Sequence, residues 1–157
     1  MARRRSIPKR IPMPDPKYGS ATLTKFVNAV MKGGKKSIAE SIVYGALEIL
    51  DSKIPEDDAI SAFKTAIENA KPMLQVKSRR VGGTTYQVPV EIAPNTRTAI
   101  AFRWVIDFSR KRGERTMKER LAAELLDCYH RQGSTVKRKD DMHRMAEANK
   151  AFAHFRF

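Results

Sequence analysis

A chain of 157 residues with 41% hydrophobic content has the length of one compact domain and enough apolar surface for a single core. Its 31 basic and 17 acidic residues leave a formal net charge of +14, which narrows the partners to polyanions: nucleic acid, an anionic membrane or an acidic protein. One cysteine, Cys128, excludes an intrachain disulfide, no apolar run approaches the roughly 18 residues of a membrane span, and the basic N-terminus lacks the apolar stretch of a secretory signal.

Residues 1–19 read as an extended arm, disordered when free. They carry Arg3, Arg4, Arg5, Lys9, Arg10 and Lys17 against Asp15, and Pro8, Pro12, Pro14 and Pro16 oppose a helical targeting segment. Ser20 can cap a first helix to about Met31, with Leu23, Phe26, Val27 and Val30 on one face and Gly33-Gly34 as its stop. A second helix begins near Lys36 and turns Ile38, Ile42, Val43, Ala46, Leu47, Ile49 and Leu50 to one side. Pro55 then precedes Glu56, Asp57 and Asp58, an acidic first turn for a third helix through Ile60, Phe63 and Ile67 to Pro72.

The period then changes. Stretches 73–78 and 84–92 are rich in β-branched and aromatic residues, which predicts a protruding hairpin with a wide glycine-containing turn and Pro89 on an edge. A protruding ribbon of two strands is marginal alone, so it is expected to be mobile until a partner orders it. A fourth helix covers Pro94 to Arg112, with Ala99, Phe102, Val105, Ile106 and Ser109 inward, Trp104 in the core or at its margin, and Gly113 as its end. Thr116 and Glu119 form a T-x-x-E capping box for a fifth helix through Met117, Leu121, Leu125 and Cys128 to Gly133. A last helix starts near Thr135 and carries Met142, Met145 and Ala146. No repeat of fixed period is present. The expected fold is mainly α: one domain of about six helices over 20–157, with a β-hairpin at about 73–92 and a basic arm at 1–19.

Charge is segregated along the chain. Residues 36–70 hold three cations against seven anions, a net of −4, which leaves +18 on the remainder. Beyond the arm, the cations cluster as Lys32-Lys35-Lys36, Lys77-Arg79-Arg80, Arg110-Lys111-Arg112-Arg115 and Lys137-Arg138-Lys139, each at a predicted loop, turn or helix end. A single such run is usually a solvated face, but five segregated clusters rich in arginine, whose planar fork suits phosphate oxygens, point to a nucleic acid. A hairpin tip carrying Arg79 and Arg80 fits that reading. Tyr86 is placed either to stack on a base or to pack across the strands. The acidic helices are expected to build the core and face away from phosphate.

Catalytic and cofactor signals are weak. Gly34-Lys35-Lys36-Ser37 lacks the earlier glycine of a phosphate-binding loop, since position 29 is Ala29, and it follows a helix instead of a strand. His130, His143 and His154 have no ligand spacing with Cys128, so no metal is expected, and no nucleophile, base and acid can be grouped. No cofactor or membrane partner is expected. An RNA-modifying or hydrolytic enzyme and a DNA-binding regulator are the rival readings; helix 94–112 lacks a helix-turn-helix partner, and an extended arm suits RNA crevices better.

Four stretches carry a resemblance: VKSRRVGGTTYQVPVEI (76–92), GKKSIAESIVYGALEIL (34–50), RWVIDFSRKRGERTM (103–117) and HRMAEANKAFAHFRF (143–157). With PDPKYGS (14–20) they make the chain resemble, over essentially its whole length, the bacterial form of the family of small-subunit ribosomal protein seven. The resemblance implies a helical domain with a β-ribbon that is not an enzyme. It implies a cytoplasmic, ribosomal protein that binds the 3′ major domain of small-subunit rRNA and nucleates assembly of the subunit head. It also implies a place near the exit-site tRNA and the mRNA path, ribosomal proteins numbered nine and eleven as neighbours, and in some members repression through the protein's own mRNA. The resemblance implies rRNA contacts from the loop around Lys35 and Lys36, the hairpin, the arm and the basic helix ends; with the clustered cations and Tyr86, the candidate RNA contacts include Arg97, Arg103 beside Trp104, Met117 and Arg144.

Overall fold

The computed structural model describes residues 12–155. Each helix buries the stripe that its sequence spacing dictates. The Ser20 hydroxyl accepts the Leu23 N–H at 3.4 Å and opens α1, Ala21–Val30, which buries Leu23, Phe26, Val27 and Val30. α2, Lys36–Lys53, buries Ala39, Val43, Ala46, Leu47 and Leu50. α3 spans Ala59–Ala70, α4 Pro94–Lys111, α5 Met117–Tyr129 and α6 Gly133–Ala148. α5 lies at the centre and packs against α2, α3, α4 and α6. Phe26 joins the layers, its ring centroid 5.1 Å from Phe63 and 5.0 Å from Phe102. The capping box reads as expected in its acidic half: Glu119 accepts the Thr116 N–H at 3.1 Å, and this backbone bond, first among its contacts, holds the Glu119 carboxyl below its ordinary range.

β1, Leu74–Val81, and β2, Thr84–Glu91, form an antiparallel ribbon in register from Leu74↔Glu91 to Val81↔Thr84. The turn is tighter than expected. Gly82 and Gly83 alone make it, at φ 56° and 88°, the left-handed pair that a two-residue hairpin turn of matching twist requires. Pro89 sits opposite Val76 in a sheet where both strands are edges, as expected, but it is buried. A terminal 3-10 helix, Lys150–Phe155, packs on β2 and has no counterpart in the expected elements.

Other expectations need correction. The end of the arm is docked: Asp15, 5% exposed, accepts the N–H groups of Lys17 and Tyr18, each at 3.1 Å, and the Tyr44 hydroxyl at 2.7 Å. The acidic triplet does not form the first turn of α3. Asp58 is its N-cap, without a side-chain bond, and Asp57 accepts the Tyr129 hydroxyl at 2.7 Å, tying the α2–α3 loop to the end of α5. Ile38 and Ala99, placed on inward faces, are exposed, Ile38 by 55%, and Met145, among the apolar residues carried by the last helix, is 42% exposed. Ile38 lies in the first turn of α2, before its packed stretch begins at Ala39. The hairpin is not free of the body, because α6 and the 3-10 helix both pack against it.

Candidate nucleic-acid interface

α1 and α4 lie side by side in the same direction, and their shared surface is built from small residues. Ala29 and Ala99 are exposed and leave a furrow between the helices. At one end a depression of about 370 Å3 is walled by Thr22, Lys25, Asn95 and Thr98. It continues through Ala29 and Ala99 into one of about 250 Å3 walled by Arg103, Asp107 and Arg110. Arg110 is shared with a third, of about 320 Å3, where Lys32 and Lys35 rim an apolar floor of Val30, Met31, Ile38, Ile42 and Met117. The exposure of Ile38 and Ala99 is thereby explained: both line the furrow instead of the core.

Lys25, Lys32, Lys35 and Arg103 are exposed and make no ion pair with a described residue. Asp107 is the one carboxylate among the lining residues, and it stands 3.9 Å from Arg110. Such a channel of cations over small and apolar walls fits a phosphate backbone with riboses or bases against its floor. Lys36 adds a further cation nearby, paired with Glu40 at 3.5 Å. Lys111, over the Phe108 ring at 5.4 Å, and the exposed Arg115 extend the basic surface into the α4–α5 loop. Lys77, Arg80, Lys137, Arg138 and Arg144 are exposed too, Arg144 beside Asp141 at 3.7 Å.

Besides Lys36, Arg110 and Arg144, six more of the anticipated contacts among the described residues are engaged within the protein. Lys17 pairs with Glu48 at 3.1 Å. Arg97 donates to the Ile92 carbonyl at 2.7 Å, and Lys139 to the Asn69 carbonyl at 3.0 Å. Arg79 donates to the Phe155 carbonyl, and Tyr86 packs against Phe152 and Phe155, which is neither the base stacking nor the cross-strand pairing considered for it. Arg112 reaches Glu114 and Glu124 at 2.9 Å each and Asp127 at 2.7 Å. Burial opposes its charge, but these carboxylates outweigh that and push its pKa further up. Arg3, Arg4, Arg5, Lys9 and Arg10 lie outside the described residues. Lys25 was missed because it stands alone in sequence; only the exposed face of α1, opposite Leu23, Phe26 and Val27, could have marked it.

Three acidic residues of α2 and the α2–α3 loop lie together elsewhere. Glu48, Asp51 and Asp58 line a depression with Tyr18, Ala59 and Ile60 on the α2–α3 side. Cys128 is fully buried, and burial, then Glu124, pushes its thiol up to about 12, which removes it from nucleophilic chemistry. Among the described residues no group of three metal-ligating side chains is assembled, and no helix is long and apolar enough to cross a membrane.

Comparison with known proteins shows the family. Residues 2–150 match the family model described as ribosomal protein S7p/S5e. The chain is 59% identical to the small ribosomal subunit protein uS7 of Marinobacter nauticus and 57% identical to that of an Acidovorax species (strain JS42), each over the full length of both chains. The same protein of Saccharophagus degradans is 58% identical over the same extent. A basic, mainly helical domain with a β-ribbon, matched along its whole length in this way, belongs to the ribosomal protein S7p/S5e family and is a structural constituent of the small ribosomal subunit, not an enzyme.

Proposed function

We propose that the protein grips the 3′ major domain of small-subunit rRNA through the α1–α4 furrow and the groove that ends it, and that this grip nucleates assembly of the subunit head. The observation that carries the reading is the convergence of Lys25, Lys32, Lys35, Arg103 and Arg110, from three separate stretches of sequence, on one channel. Phosphate neutralisation supplies the affinity, and the shape of the furrow selects a folded junction over a regular duplex. The hairpin tip, with Arg80, extends from this body toward the exit-site tRNA and the mRNA path, while the exposed Lys77, lower on β1, faces rRNA. The acidic α2–α3 side is left for solvent or for neighbouring proteins, of which those numbered nine and eleven are the candidates. A protein that reads a junction by shape can also bind a similar fold in its own mRNA.

The triple variant K25A/K32A/R103A tests the reading by filter binding to an rRNA fragment of the 3′ major domain across a salt series. The slope of log affinity against log salt should fall by about 2 to 3, somewhat less than one for each phosphate contact removed. Neutralising Glu48 and Asp51 to their amides should leave the slope unchanged. Equal slopes for the wild type and the triple variant would refute the furrow as the RNA site.

A further inference from the structure

Above its base, the ribbon is held by the C-terminal segment at the Arg79↔Tyr86 rung. Arg79 and Tyr86 are register partners on β1 and β2. Tyr86 packs against two rings of the 3-10 helix, 5.1 Å from Phe152 and 5.1 Å from Phe155, the latter stacked at 29°. Arg79 donates from its guanidinium to the Phe155 carbonyl. Both strands are therefore held by one short stretch. That stretch is itself anchored: the Phe152 N–H donates to the Asn149 carbonyl at 3.0 Å, the Asn149 amide donates to the Met145 carbonyl at 2.8 Å, and His154 packs 4.0 Å from the Phe155 ring. The base of the ribbon is fastened separately, by the Met73 N–H donating to His143 Nε2 of α6 at 2.9 Å and by the fully buried Val88. Beyond the Arg79↔Tyr86 rung, only Arg80↔Thr85, Val81↔Thr84 and the two-glycine turn overhang.

We propose that the C-terminal segment is a strap that sets the ribbon at a fixed angle in the free protein, with Phe152 and Phe155 as positioning residues for RNA binding. A two-stranded ribbon is marginal by itself, and ordering it on contact would subtract from affinity. The strap meets that ordering cost within the chain, so Lys77 and Arg80 meet RNA already placed. The inference rests on the reading that the ribbon touches RNA. It replaces the expectation of a ribbon that is mobile until bound.

The test uses the full chain in three forms: F152A/F155A, the ring-preserving F152Y/F155Y, and K77A/R80A. Amide hydrogen exchange over residues 76–88 of the free protein reads the strap directly. F152A/F155A should exchange much faster there while α1–α5 keep their protection, and F152Y/F155Y should stay like the wild type. Affinity for the rRNA fragment should weaken about tenfold in F152A/F155A, the scale of one strong aromatic pair, with an unchanged salt slope because no phosphate contact is removed. K77A/R80A should lower the slope and leave exchange alone. Unchanged exchange in F152A/F155A would overturn the strap. Tighter RNA binding would show that the segment masks the ribbon, and a lowered slope would show that it touches RNA itself; each overturns the positioning role. Unchanged affinity in K77A/R80A would overturn the reading that the ribbon touches RNA, and with it the strap's bearing on binding, while exchange still reports on the strap.

Discussion

Arg112 stands in the most basic run of α4 and its loop, and its sequence context marks it as an RNA contact; the fold assigns it to stability. Its Nε reaches Glu114 and its Nη1 reaches both Glu124 and Asp127. Glu124 is 1% exposed, and its other oxygen already accepts the Thr135 N–H at 3.1 Å and the Thr135 hydroxyl at 2.6 Å. Replacing Arg112 by alanine thus leaves a carboxylate in the core with its hydroxyl and amide donors but no counter-charge. Removing one partner of a buried pair typically costs 3–5 kcal/mol; because the Arg112 side chain is 26% exposed, the low end applies, about 3 kcal/mol. For a domain of this size that lowers the midpoint of thermal unfolding by about 6–12 °C. Removing Lys111 or Arg115 instead should cost about 0–1 kcal/mol, since those cations are exposed.

Urea unfolding followed by far-ultraviolet circular dichroism measures the difference. R112M/E124Q, which removes the charge from both sides while an amide oxygen still accepts from Thr135, should recover much of the loss, and the double-mutant cycle gives the coupling. In RNA binding below the melting range, R112A should keep the wild-type salt slope, whereas K111A/R115A should lower it. A loss below about 1 kcal/mol with a lowered slope would refute this assignment and return Arg112 to the RNA surface.

Two further outcomes follow from local geometry. Gly133 opens α6 at φ 85°, and a Cβ there would stand 2.8 Å from Asp127 Cβ, so G133A should cost at least about 1 kcal/mol by urea unfolding and weaken the Arg112 network through Asp127; a neutral result would show that the reversal relaxes freely. His143 accepts the Met73 N–H as a neutral imidazole, and burial, then Lys139, holds its pKa below the ordinary 6.5 while Asp140 opposes them. A folded-state pKa below the unfolded one means that the folded chain binds fewer protons between the two, so this stability is present above about pH 6.5 and is lost as pH falls through the lower folded value. Midpoints measured from pH 7.5 to 5 should fall more steeply in the wild type than in H143Q, and parallel curves would contradict the assignment.

What was legible in the sequence is what short-range chemistry determines. Ser20 as a cap, the Thr116–Glu119 box, Gly82-Gly83 as a turn and the stripe Leu23-Phe26-Val27-Val30 need only their neighbours in the chain. Boundaries set by distant partners were not legible. Asp57 leaves the first turn of α3 because Tyr129 holds it from the end of α5, and Asp15 docks the arm because Tyr44 lies beneath it. The stretch KAFAHF is too short to show a period, and its structure depends on Tyr86 and Arg79 more than sixty residues earlier. The candidate site divides in the same way. A run of cations announces a basic surface, but which of Arg110, Lys111 and Arg112 faces outward depends on α5 presenting Glu124 and Asp127 to only one of them.

The division between stability and binding follows from where α5 lies. It touches four other helices, so its inward face must be apolar or, at Glu124, internally neutralised, and it supplies neither wall of the α1–α4 depressions. α1 and α4 each bury one face on the core and leave the other to solvent, which frees Lys25, Ala29, Ala99 and Arg103 from packing demands. At those positions alanine opens space and a cation adds charge without unsettling the core. Lys25, Lys32, Lys35, Arg103 and Arg110 can then gather on one channel while Glu48, Asp51 and Asp58 line the α2–α3 side, away from the phosphate they would repel. Arg112 lies at the junction of the two regimes, at the C-cap of α4, and the three carboxylates around it decide which one it serves.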